Sequence, residues 1–129
     1  MDSKWQLVLG RVLLSAIFIL SGLGKLPHFH DVAGMMTGKG IPLATVALAI
    51  TILIEVGGGL LLLTGFKARY AALVIAVWLV PVTLVFHNFW GAPAAQQQEQ
   101  TINFLKNLAI IGGLLVTAVA STAATPARK

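Results

Sequence analysis

The chain has 129 residues, of which 57% are apolar and only 10% charged, with no cysteine and a formal net charge of +5. An average soluble domain carries about 25% charged residues, so there is too little polar surface here to coat a soluble globule, and the mean hydropathy of +0.89 agrees. The missing cysteine excludes thiolate metal sites, iron–sulfur clusters, a catalytic thiol and a disulfide framework. No basic cluster with interleaved aromatics exists, so the positive charge does not read as nucleic-acid binding.

A helix needs about 20 mainly apolar residues to cross the hydrocarbon core of a bilayer, and four stretches qualify. The first runs from about Trp5 to Gly24 and is broken only by Arg11. It is longer than the apolar region of a signal peptide, contains an arginine and lacks a small-x-small site before Lys25, so it reads as a retained span. Pro27 and the Gly34–Gly40 region then predict a loop. The second span, about Leu43 to Thr64, is broken only by Glu55 and closed by Gly65. The third covers about Ala68 to Asn88, with an uncharged centre from Tyr70 to Phe86. Gly91, Pro93 and the polar run Gln96–Gln100 predict the next loop. The fourth span covers about Thr101 to Ser121, with Lys106 near its start, and the small, polar residues from Thr122 to Lys129 predict a mobile tail.

These segments show no period-2 alternation and are far longer than single strands. The expected fold is therefore an all-α membrane protein, a single four-transmembrane-helix bundle over residues 1–129. Lys4, Lys67, Arg69, Arg128 and Lys129 fall on one side of such a bundle. Lys25, Lys39 and Glu99 fall on the other. The excess of basic residues predicts that both termini are cytoplasmic, and contact with the lipid bilayer follows. Gly58-Gly59-Leu60-Leu61 and Gly112-Gly113-Leu114-Leu115 suggest a two-plus-two repeat whose small residues let helices pack closely.

Ionisable groups inside apolar spans are expensive and mark function or obligate pairs. Counted along the helices, Arg11 and Glu55 lie about 9 and 14 Å from the same side, close enough to predict an intramembrane ion pair. Such a pair is either a clamp for the first helical hairpin or a site where Glu55 carries protons or faces a bound headgroup. A second group, Lys25, His87, Asn88, Asn103, Lys106 and Asn107, converges at the opposite side in a four-span arrangement. On the first helix, Arg11, Ser15, Phe18, Gly22 and Lys25 share one stripe that should face the interior. Two lysines, a histidine and several amides suit an oxygen-rich ligand such as a quinone headgroup, with Phe89 and Trp90 beside the ring. The same residues also suit plain interfacial capping. His28, His30 and Asp31 are metal-binding residue types, but as one short loop cluster they do not make a metal site. Phosphate-binding, dinucleotide-binding and nucleophile-elbow motifs are absent.

Arg11, the run Phe18-Ile-Leu-Ser-Gly-Leu-Gly-Lys25, Glu55 followed by Val and three glycines, Gly65-Phe66, His87-Asn-Phe-Trp90, and Asn103-Phe-Leu-Lys106-Asn107 before Gly112-Gly113 occur in an order that resembles the DoxX family of small four-helix bacterial membrane proteins. The resemblance covers nearly the whole chain. It implies a multi-pass protein of the bacterial inner membrane. Members of the family are associated with quinone-linked oxidation of sulfur compounds and with membrane oxidoreductase complexes, which strengthens the quinone reading of Lys25, His87 and Lys106. The chain has no intrinsic redox cofactor motif, so redox chemistry here implies a bound quinone, an oxidoreductase partner subunit, or both. A non-catalytic scaffold or assembly partner, a homo-oligomer, and a proton or small-solute conduit using Glu55 are the alternative readings.

Overall fold

A computed structural model describes residues 3–124, with side-chain placement to Ser121. Helix α1 spans Ser3–Lys25, α2 Phe29–Gly38, α3 Ala44–Ile52, α4 Gly58–Thr64, α5 Ala68–Phe86 and α6 Ala94–Ala124. A π-helical turn, Leu53–Gly57, joins α3 to α4, so the two form one continuous span. A single 3₁₀ turn, Phe89–Gly91, follows α5. Among the described residues there is no strand, and four helical segments are long and apolar enough to cross a membrane.

Each span packs on the next: α1 on α4 and the π turn, α4 on α5, α5 on α6, and α6 back on α1. The bundle therefore closes as a ring. Helix α5 supplies its most buried stripe, through Ala68, Ala71, Ala72, Ile75, Ala76, Leu79 and Thr83. Their spacing of three and four residues keeps them on one face, and the alanines let α5 approach its neighbours closely. Leu62 and Leu114 fill the layer beside Ile75, all three fully buried. The outer faces remain apolar: Leu13, Leu20, Val77, Val116 and Val119 are each at least 65% exposed. Lipid is the solvent these faces match.

The register of the first hairpin is set by glycine contacts. A Cβ on Gly22 would meet Val56 Cγ2 at 2.6 Å and Glu55 Cβ at 3.0 Å, and one on Gly59 would meet Ile19 Cγ1 at 2.6 Å. One on Gly65 would meet the Arg11 guanidinium at 2.9–3.0 Å. Arg11 is thus level with the α4–α5 turn, the near end of the bundle, and Lys25 is level with the π turn rather than with the start of α3. The first span is set back from the second because the connection between them is not a plain loop. It contains α2, which packs Ala33 and Met36 on Ala44 and Leu48 of α3.

Two more boundaries differ from the expected ones. Helix α6 begins at Ala94, so the glutamine run is helical rather than a loop; Ala, Gln and Glu are good helix formers, and polarity alone does not unwind them. Its helix also continues to Ala124, into the segment expected as a tail, whereas residues 125–129 lie outside the described chain. The two Gly-Gly-Leu-Leu motifs do not play equal parts. Gly58 and Gly59 sit in close contacts, whereas Gly112 faces open space and Gly113 makes only ordinary contact with Leu14.

Candidate functional site

Glu55 lies at the centre of the π turn. A π turn widens the helix by one residue and swings the following side chains around the axis, and such turns cluster at functional sites. Here it aims Glu55 inward, leaving its side chain 6% exposed. Ten residues separate Glu55 from Gly65, or about 15 Å of helix, which is half of a hydrocarbon core about 30 Å thick.

Lys25, the last residue of α1, meets that carboxylate. Its Nζ donates to Glu55 Oε1 at 2.9 Å and Oε2 at 3.2 Å, and to the Ser21 hydroxyl at 2.7 Å. A longer contact of 3.3 Å reaches the Ser21 carbonyl oxygen. The Ser21 hydroxyl in turn donates to Glu55 Oε2 at 3.2 Å. Ser21 and Lys25 are one helical turn apart, so they share a face. The carboxylate and ammonium are thus both paired and hydrogen-bonded, as a buried charge requires.

The partner of Glu55 is therefore Lys25, and the expected pair with Arg11 does not form. The set-back of α1 carries Arg11 down to Gly65 and brings Lys25 to the carboxylate instead. The predicted interior stripe of α1 otherwise has its place: Ser15, Phe18 and Gly22 are its buried residues.

The pair opens onto a cavity of about 260 Å³ between α1, α2, α3, α5 and α6. Its polar lining comes from Ser21, Lys25, Thr51, Glu55, His87 and Asn107. The apolar lining includes Phe18, Trp78 and Phe86, with Met35 and Met36 contributed by α2. Below it, the Leu62, Ile75 and Leu114 layer closes the bundle. At the far end, Lys39 Nζ sits 5.5 Å from the centre of the Phe86 ring and ties the end of α2 to the end of α5. His87 Nδ1 lies 2.8 Å from Gln100 Oε1. Asn107 Nδ2 donates to Thr83 Oγ1 at 3.1 Å, and that hydroxyl donates onward to the Leu79 carbonyl at 2.7 Å.

The expected far-side cluster divides. Lys25, His87 and Asn107 line the cavity, whereas Asn103 and exposed Lys106 border a separate shallow depression with Glu99. Asn88 caps the 3₁₀ turn, its carbonyl accepting from the Gly91 N–H at 3.0 Å. Phe89 and Trp90 pack edge-to-face with each other and with Phe104 rather than against the cavity. His28, His30 and Asp31 are exposed at the start of α2. Among the described residues, no group of three or more His, Asp or Glu side chains is placed to hold a metal. Ser21, Thr51 and the two methionines are site residues that polarity and spacing did not single out. The one available signal was the four-residue step from Ser21 to Lys25.

A model of the DoxX family matches residues 6–88, more than half of the chain. The chain belongs to the DoxX family. The match includes Lys25, Glu55 and His87, while Asn107 lies beyond it. Among curated relatives, the chain is similar to the inner membrane protein YqjF of Escherichia coli (strain K12), at 32% identity over 112 residues, covering 87% of this chain and 81% of the relative. It is also similar to the inner membrane protein YphA of the same organism, at 27% identity over 113 residues, covering 88% and 81%. No solved structure matches. With four apolar spans and inner-membrane relatives, this DoxX-family chain is a multi-pass protein of the inner membrane.

Proposed function

We propose that the cavity holds the headgroup of a quinone or quinol, and that the chain serves as the quinone-interacting subunit of a membrane oxidoreductase system. The observation that carries this reading is a hydrogen-bonded Lys25–Glu55 pair opening into an aromatic-walled cavity. An engineered cavity of about 150 Å³ takes up benzene, so about 260 Å³ suits one substituted ring and leaves no room for an isoprenoid tail. The tail stays in lipid. The Lys25 ammonium and the Asn107 amide donate to ring oxygens, while Glu55 and His87 are the groups that exchange protons with them. Reduction to quinol takes two electrons and two protons, and the electrons come from a redox centre on a partner subunit, since this chain has no cysteine or cofactor motif to hold one. In this reading both termini are cytoplasmic, because Arg11, Lys67 and Arg69 gather at the near end and Lys25 is engaged with Glu55 instead of standing in the opposite loop.

Trp78 lines the cavity, whereas Trp5 and Trp90 do not. A variant with Trp5→Phe and Trp90→Phe leaves Trp78 as the sole tryptophan. Its fluorescence is expected to fall in a saturable way as a short-tailed quinone is added in detergent, with weaker binding after Asn107→Leu. Linear, non-saturating quenching in both proteins would oppose the reading and favour a scaffold, for which a stoichiometric protein partner and an unfilled cavity are expected.

A further inference from the structure

The guanidinium of Arg11 lies at the near end of the bundle, away from the cavity. Its Nε is buried without a hydrogen-bond partner among the described residues, so one donor of a half-buried guanidinium is left unmatched. The guanidinium rests on the α4–α5 turn, where Gly65 has φ +86. A side chain at Gly65 would strain the backbone and strike Nη1 at 2.9 Å and the guanidinium carbon at 3.0 Å. Glycine is thus needed for the turn and for the seat of the arginine.

Among the described residues, the surroundings carry no negative charge to answer it. Helix α5 starts at this turn with no acidic residue in its first turn and no side-chain cap. Lys67 and Arg69 add two more cations, 5.7 and 5.4 Å from the centres of the Phe66 and Tyr70 rings. Among the described residues, Asp31 in α2 and Glu99 in the first turns of α6 belong to the far end, and Glu55 is engaged by Lys25. Phe66 and Tyr70 are 64% and 58% exposed, and such aromatic side chains at a span's end mark the headgroup level.

We propose that the Arg11–Gly65 corner binds a phosphate oxyanion, carried either by the phosphodiester of an anionic lipid or by free phosphate. A guanidinium offers a planar fork that meets two phosphate oxygens at once. The site is independent of the quinone cavity.

The test uses the full chain in mild detergent and follows thermal unfolding as phosphatidylglycerol, phosphatidylcholine or inorganic phosphate is added. Phosphatidylglycerol is expected to raise the unfolding midpoint, and phosphatidylcholine is not. Arg11→Gln is expected to need roughly tenfold or more phosphatidylglycerol for the same shift, from the loss of a charge-assisted contact. Arg11→Lys, which keeps the charge and the fold but loses the fork, is expected to fall between. A shift produced by inorganic phosphate alone and removed by Arg11→Gln assigns the site to a soluble source. If the wild type and Arg11→Lys respond identically to phosphatidylglycerol and to inorganic phosphate, or the wild type responds to neither of these two, the proposal is overturned.

Discussion

Replacing Lys25 by Met takes the ammonium away from a carboxylate whose side chain is 6% exposed. Glu55 then retains one donor, the Ser21 hydroxyl at 3.2 Å. Removing one member of a buried ion pair costs about 3–5 kcal/mol, and Lys25→Met belongs in that range. Glu55→Gln is milder, at about 1–3 kcal/mol, because an amide oxygen and Ser21 still accept from Nζ. In the double variant both charges are gone, so the loss is smaller than the sum by about 2 kcal/mol. Arg11→Gln with Glu55→Gln is the control cycle. Arg11 sits about ten residues of helix, or about 15 Å, from the carboxylate, and the two losses should add to within about 0.5 kcal/mol. Unfolding of the purified protein by sodium dodecyl sulfate in mixed micelles, followed by circular dichroism, measures both cycles. Additivity between Lys25 and Glu55, or coupling between Arg11 and Glu55, would refute the reasoning.

Gly22→Ala places a Cβ against Val56 Cγ2 at 2.6 Å and its backbone nitrogen at 3.3 Å. The backbone cannot yield, so α1 is pushed off the π turn, with an expected loss of about 1–3 kcal/mol in the same unfolding assay. Gly58→Ala meets only the end of the Ile75 side chain, at 2.7–3.0 Å, and should cost less than Gly22→Ala; the reverse order would contradict the hairpin register. Asn107→Leu removes the donor to Thr83 Oγ1, but Thr83 keeps its bond to the Leu79 carbonyl. Its stability loss should therefore stay near the about 0.6 kcal/mol average for interhelical bonds in membranes, read again by denaturant unfolding, even though it weakens quinone binding.

Four spans and the buried stripe of α1 were legible because both are written in composition and period. Apolar length alone identifies a span, and Ser15, Phe18 and Gly22 recur at the helical spacing. The partner of Glu55 was not legible. Pairing across a hairpin depends on how far one helix is set back against the other, and that offset comes from α2 and from glycine contacts between spans. Arg11 and Lys25 are fourteen positions apart on one stripe of α1, so a sliding register exchanges one cation for the other without altering the hydrophobic pattern. The π turn has no clear sequence mark beyond a glutamate followed closely by three glycines. Depth and the i, i+3, i+4 spacing group Asn103, Lys106 and Asn107 on one side of α6, but they do not separate Asn107, which lines the cavity, from Lys106, one residue and about 100° away around the helix.

The central claim is that the Lys25–Glu55 cavity holds a quinone headgroup. Mass spectrometry of the protein gently extracted from its native membrane tests it most directly. Quinone should co-purify with the wild type and with Arg11→Gln, and should be depleted in Lys25→Met and Asn107→Leu protein that remains folded. Absence of quinone from the wild type, or equal amounts in all four proteins, would contradict the claim.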